Sequence, residues 1–384
     1  MIQPQSFKQL FLDNDAIEKM YGLRRTLNQP ERMGPVMRPD RSRNQVSLRS
    51  TDSPKWNSEK SVWEIWYHAT YADPGSGDIG QRYRTHYAVS ADGLHWDRPS
   101  LGFCEENGSK DNNIIPIPDG MSVSHILRDE RDDDPDRRYK ALFNKKGTAR
   151  YPAVSPNGFE WTMIDVPPIP SDDTSTLEYD EISEQFVLPL KLPTERGRSV
   201  YLSTSRDFID WTEPELILNS DEIDRNNCRR RIREVVESPT HLSPPIVDKP
   251  GYPAQIYEMA VMPYEGLYVG FPVLFNPAGA IPPPRGNHNG LNQVELAVSR
   301  DLYNWERVAN RELFLGVLPW DGETYDTSQL LVSGRPLVRE DLGEIWVYYR
   351  ACRFRSYRDQ HDESYGKYFD DLNAVSLAKV RLDG

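Results

Sequence analysis

The chain has 384 residues, 38% of them hydrophobic and 27% charged, with a formal net charge of −13. An acidic surface repels phosphate backbones, which excludes nucleic acid as a partner, and no run approaches the roughly 18 apolar residues of a membrane-spanning helix. The 31 Pro, 24 Gly, 20 Tyr and 9 Trp fall in and between short apolar runs, a pattern that predicts strands and turns rather than helices.

The first twenty residues lack a basic segment followed by an apolar one, so no secretory leader is expected. Cys104, Cys228 and Cys352 are widely spaced and form no CxxC pair, which argues against a zinc site or a disulfide framework. A reducing, cytoplasmic setting is the expectation. Residues 1–33 read as an arm packed on a single domain over 34–384. Helix is expected only around Asn14–Tyr21 and Ser220–Val235.

A weak repeat then organises the chain. Ser90 to Trp96 (SADGLHW) recurs as Ser155 to Trp161 (SPNGFEW), Ser205 to Trp211 (SRDFIDW) and Ser299 to Trp305 (SRDLYNW). In each copy an apolar strand ends in Ser, a turn follows on Asp or Asn, and a Trp starts the next strand. Asn373–Val380 reads as a fifth copy without the turn. A further strand precedes each copy: Val62–His68, Arg138–Phe143, Gln185–Leu190, Leu267–Phe271 and Glu344–Tyr349. Five such units predict an all-β fold, a five-bladed β-propeller, with a β-sandwich as the structural alternative.

With these motifs in place, the chain resembles the five-bladed propeller glycosidases of families 43, 32, 68, 117 and 130. It is most similar to bacterial proteins described as glycosyl hydrolase family 32-like. The resemblance rests on Leu10–Asp15, Met37–Arg41, the Ser90–Trp96 turn, Arg138–Lys140, Ser205–Trp211, Tyr257–Met259, Pro263–Tyr268 and Val375–Gly384. It implies cleavage of a glycosidic bond in a small, furanosidic sugar by a pair of carboxylates in the central funnel. The Trp-Met-Asn-Asp-Pro-like segment, Arg-Asp-Pro triad and Glu-Cys pair of true family 32 members are missing, as is room for their C-terminal sandwich. Fructan specificity is therefore not implied.

Such chemistry needs one carboxyl as acid and another as nucleophile or base. Polar residues opening the innermost strands are the candidates. Asp40 precedes the first strand of the first unit, with a salt bridge to Arg38, Arg41 or Arg43 as the plainer reading. Asp173 opens the third unit and could equally be a turn residue. Glu258 opens a strand between an aromatic and an apolar run, and partial burial there would raise its pKa, suiting it to act as the acid. For substrate contact the candidates are Asp326, Arg350, Tyr257, Trp66 and His288, the last on a presumed loop over Asn276–Asn292. Asp129, ending the Ser124–Leu127 strand of the second unit, is a further carboxylate candidate, with a solvated acidic loop over Asp129–Asp136 as the plainer reading, and Glu265 reads as structural. The expected partner is a small carbohydrate. No cofactor is expected beyond, at most, a structural calcium on the axis, and the oligomeric state is open. Competing readings are a glycoside phosphorylase, for which Arg350, Arg353 and Arg355 would supply cations, a non-catalytic carbohydrate-binding propeller, and a metal-dependent lyase.

Overall fold

A computed structural model describes residues 8–15, 17–71, 83–145, 147–242, 254–280, 288–354 and 371–383, with side chains from 290 onward in the segment that starts at 288 and up to 278 in the one before it. Strands dominate, and among the described residues there is one α-helix.

The strands form antiparallel groups in chain order. After β1 (Glu31–Met37) come β2 (Gln45–Ser50), β3 (Lys55–Asn57), β4 (Val62–Tyr71) and β5 (Tyr83–Ser90), with β2 and β3 along one edge of β4 and β5 along the other. The second group is β6 (Ser122–Arg128), β7 (Tyr139–Asn144) and β8 (Ala149–Ser155), edged by β9 (Thr162–Met163) and β10 (Ile169–Pro170). The third is β11 (Glu178–Asp180), β12 (Gln185–Thr194), β13 (Gly197–Ser205) and β14 (Glu215–Leu218), followed by α1 (Glu222–Glu237). The fourth is β15 (Gln255–Tyr264), β16 (Leu267–Ala280), β17 (His288–Val294), β18 (Ala297–Ser299) and β19 (Trp305–Arg307). The fifth is β20 (Gln329–Val332), β21 (Leu337–Arg339), β22 (Glu344–Cys352) and β23 (Asn373–Arg381).

Two features join these groups. Single parallel pairs, Asn292 with Gln329 and Ser47 with Asn373, link the fourth group to the fifth and the fifth to the first. In addition β1 lies antiparallel on β23, from Glu31 opposite Lys379 to Met37 opposite Val375. Strands from the two ends of the chain thus share one sheet. Upstream of β1, Leu10, Leu12 and Leu27 pack on the largest apolar cluster, and Asp13 pairs with Arg300.

The Ser-to-Trp repeat is one hydrogen-bonded turn made four times. Ser90 Oγ accepts from Gly93 N at 2.8 Å, Ser155 Oγ from Gly158 N at 2.9 Å and Ser205 Oγ from Phe208 N at 2.9 Å. The Asp or Asn two residues on accepts from two further amides. Asp207 Oδ1, for example, takes Ile209 N at 2.8 Å and Asp210 N at 2.9 Å. This geometry turns the fourth residue left-handed, with φ of +79° at Gly93 and Gly158, +65° at Phe208 and +71° at Leu302. Glycine takes that conformation without cost, whereas Phe208 and Leu302 are repaid by full burial. Each closing Trp packs on a different apolar cluster: Trp96, Trp161, Trp211 and Trp305 never share one.

Two expectations about local structure are corrected. Asn14–Tyr21 forms no helix in its described residues, because Asp13 turns the chain by accepting from Asp15 N at 3.1 Å. The stretch read as a loop over Asn276–Asn292 is largely the two arms of a hairpin, with Ala280 opposite His288. The helix expected over Ser220–Val235 is α1, opened by a capping box between Asp221 and Asp224.

The repeated turn carries a stability test. Asp207→Ala removes two amide hydrogen bonds and should lower the unfolding free energy by about 1–2 kcal/mol in a urea titration. Asp207→Asn keeps an acceptor oxygen and should lose less than half of that. Equal losses in the two variants would show that the turn does not depend on these bonds.

Candidate active site

One polar pocket gathers residues from all of the groups. Arg49, Ser50 and Thr51 come from the end of β2 and His68 from β4; Ser124 and His125 come from β6 and Asn144 from β7. Asp173, Thr174 and Ser175 precede β11, Tyr257 and Glu258 lie on β15, Leu331 to Ser333 end β20, and Arg350 is on β22.

Consecutive residues on a strand normally face opposite ways, yet Ser124 and His125 both reach the pocket, as do Tyr257 and Glu258. β-Bulges explain both pairs. The β6–β7 register skips between Val123 and His125, and the β15–β16 register between Ile256 and Glu258. The extra residue re-aims the strand. On β15 it also reverses the parity of the core positions. Ile256 shares an apolar cluster with Met259 and Val261, while Ala260 and Met262 belong to another.

Residues 172–176 run beside β12, with Asp172 N bonded to Lys191 O at 2.7 Å and Thr176 N to Pro189 O at 2.9 Å. On the other side, Thr174 Oγ1 donates to Tyr257 O at 3.1 Å and Thr176 Oγ1 to Met259 O at 2.8 Å. These two hydroxyls stitch the segment carrying Asp173 to the strand carrying Glu258.

The two carboxyls have different surroundings. Asp173 is open to solvent, is ion-paired with Lys191 and accepts from Tyr257 OH at 3.3 Å. Partial burial acts to raise its pKa, but the Lys191 charge and that hydroxyl outweigh it and hold the carboxyl below the ordinary range. Glu258 is only 9% exposed and makes no hydrogen bond or ion pair among the described residues. Burial pushes it up to about 7, although Lys191, Arg49 and Arg350 pull the other way. Lys191 itself is buried, with its ammonium 3.8 Å from the centre of the Tyr257 ring; Arg198 lies 5.5 Å from the same ring.

Two histidines at the base of the pocket are neutral. His68 Nε2 donates to Val123 O at 2.8 Å, and burial drives the ring down to about 3. His125 Nε2 lies 2.7 Å from Ser175 Oγ, which also accepts from Arg150 Nε at 2.7 Å; burial takes His125 to about 3 as well. Behind them, Lys55 bridges Asp52 and Glu178 at 3.3 and 3.0 Å, all three buried or nearly so. Among the described residues no cluster of His, Cys, Asp or Glu side chains is arranged to hold a metal ion.

The structure therefore brings Asp173, Glu258, Tyr257 and Arg350 together and places other candidates elsewhere. Asp40 caps a short 3-10 turn by accepting from Ser42 N at 3.1 Å, and it faces Arg43 and Arg98 at 3.5 and 3.8 Å. Asp326 is buried away from the pocket and accepts from Arg32 Nη1 and Tyr349 OH, both at 2.7 Å. Trp66 is 2% exposed, packs against Tyr87 and Tyr139, and donates to Gly158 O at 3.1 Å, so neither ring face is open to a sugar. His288 opens β17, and its side chain lies outside the described residues. Of the arginines noted after β22, Arg353 is buried and donates to Glu323 O at 2.8 Å, and Arg355 lies outside the described residues. Arg49, Lys191, Arg150 and His125 were not singled out from sequence. A lysine inside the apolar run Gln185–Thr194 was the legible signal for one of them.

No protein-family model matches the sequence, and neither does any curated protein. Solved structures do match. An α-L-arabinofuranosidase from Podospora anserina, solved in complex with cellotriose, superimposes with a TM-score of 0.50 at 12% identity, covering 93% of this chain and 98% of that one. A protein described as a glycoside hydrolase gives 0.49 at 14% identity over 92% and 94% of the two chains. A β-fructofuranosidase from Schwanniomyces occidentalis gives 0.46 at 15% identity, covering 90% of this chain and 58% of that one. In fold, this chain is similar to the α-L-arabinofuranosidase.

Proposed function

We propose that this protein is a glycoside hydrolase built as a five-bladed propeller, with Glu258 as the general acid and Asp173 as its ionised partner. The observation that carries the reading is the contrast between two carboxyls in one pocket, Glu258 lifted to about 7 and Asp173 held low by Lys191. Glycosidic cleavage uses that contrast, because one carboxyl must give a proton while the other stays charged. Glu258 hands its proton to the glycosidic oxygen as the bond to the anomeric carbon breaks. Asp173 stabilises the positive charge that grows on the sugar ring until a water adds to the anomeric carbon and gives a proton back to Glu258. Tyr257, gripped by Lys191 and Arg198, and Arg350 line the space that the sugar would fill. The five-blade reading is supported by the five antiparallel groups, each of which sends residues to this pocket.

Glu258→Gln should lower kcat by roughly 10²–10⁴-fold while leaving the circular dichroism and unfolding midpoint unchanged. The assay is hydrolysis of a panel of aryl glycosides and oligosaccharides, run with and without phosphate. A full rate in the variant removes Glu258 from the chemistry.

The pH profile supplies a separate check. Since the acid must be protonated, kcat/KM should fall as pH rises through about 7, the value of Glu258. Asp173→Asn removes a negative neighbour that raises Glu258, so the falling limb should move to lower pH. A limb that stays in place in this variant would show that the two carboxyls are not electrostatically linked.

A further inference from the structure

Two of the arginines that line the pocket have no carboxylate in contact among the described residues. Arg49 lines it and makes no hydrogen bond or ion pair among the described residues. Arg350 lines it too. Its Nη2 donates to the Asn373 amide oxygen at 2.9 Å, and that amide is fixed by Ser47 Oγ at 2.7 Å and Leu372 O at 2.8 Å. Among the described residues Arg350 Nε is buried with no hydrogen-bond partner, and no carboxylate pairs with the guanidinium. Just beneath, fully buried Arg150 spends its donors on Ser175 Oγ, Ala149 O and Asp172 O, none of them charged. Around these three cations stand Asp173, Glu258 and, beside Arg150, Asp172, with Lys55 between Asp52 and Glu178 farther back. Lys191 already takes Asp173, and Glu258 is half protonated near pH 7. The two histidines add neither sign.

A guanidinium with no counter-ion in contact gains an ion pair when an anion arrives. Arg350 and Arg49 act on one another as like charges across the pocket, and Glu258 acts on Arg49 only at a distance, without an ion pair. Ser50 Oγ donates to Ser333 Oγ at 2.6 Å and Asn144 Nδ2 to Ser124 Oγ at 2.9 Å, which leaves the Ser333 and Ser124 hydroxyls to donate to a neutral sugar in the same pocket. The guanidiniums from β2 and β22, neither with a carboxylate in contact among the described residues, have the forked donor geometry that suits an oxyanion.

We propose that Arg49 and Arg350 form an oxyanion subsite in this pocket, which takes a carboxylate carried by the substrate sugar, as in a uronic acid, or inorganic phosphate. The inference rests on the reading of the pocket as a carbohydrate site and deepens it by naming the charge of what binds.

The test is direct binding, which needs no turnover. The Glu258→Gln protein, which cannot consume a ligand, is titrated calorimetrically with glucuronate, galacturonate and inorganic phosphate, with glucose and galactose as neutral controls. At least one anion should bind more tightly than the neutral sugars, and the affinity should drop with added salt. Arg49→Gln, at a side chain open to the pocket, should weaken that binding about tenfold or more, and Arg350→Lys should weaken it measurably while keeping the fold. Uronate binding without phosphate binding assigns the anion to the sugar; phosphate binding assigns it to a phosphate co-substrate. No anion preference, or a preference unchanged in Arg49→Gln, overturns the subsite. That result leaves the hydrolase reading intact, because that reading fails only if Glu258→Gln retains activity.

Discussion

The first and last strands of this protein are held to one another, and the position of much else follows from that contact. β1 lies along β23, and Arg32 reaches from β1 to the buried carboxylate of Asp326, which Tyr349 of β22 also holds. Residues 294 apart in the chain are joined by this ion pair. Beside it, β23 touches β2 through the Ser47–Asn373 pair. Arg350 and Arg49 occupy one pocket because their strands are neighbours through this junction, and Asn373 serves both the junction and the Arg350 guanidinium. A buried ion pair contributes modestly to stability and strongly to register, since any other alignment would strand a charge.

Inside the pocket the same physical quantity, water removed from a carboxyl, is opposed to different degrees. At Asp173 a lysine sits in contact and wins. At Glu258 the same lysine acts from farther away, without an ion pair, and burial wins. The stitching of Thr174 and Thr176 to β15 sets this difference, because it fixes which carboxyl Lys191 can reach. Placement of one ammonium therefore assigns two protonation states.

What was legible in the sequence was local. The Ser-to-Trp turn could be read because its bonds close within four residues, as Ser205 Oγ with Phe208 N and Asp207 with Asp210 N illustrate. Glu258 could be read because a carboxyl flanked by an aromatic and an apolar run signals burial. Asp326 had the same look, a carboxylate opening a strand, but its partner Arg32 lies on β1, and no local pattern announces that pairing. Trp66 was a reasonable sugar platform by type, yet the turn carrying Gly158 approaches its ring so closely that an added Cβ would sit 2.7 Å away. Arg49 escaped notice because an arginine at a strand end is ordinary until its place in the pocket, with no ion pair among the described residues, becomes visible in three dimensions.

The bulges on β6 and β15 have a consequence for how this site can change over generations. A substitution alters one side chain, whereas a bulge alters the phase in which every later residue of the strand is read. On β15 the phase set at Tyr257 decides both which carboxyl enters the pocket and which apolar residues enter each core cluster. Loss or gain of a single residue there would act as a frame error, exchanging inward and outward faces along the strand up to Tyr264. A change of length at these two strands is therefore costlier than a change of residue, and added or lost residues are tolerated more readily in the connections between groups.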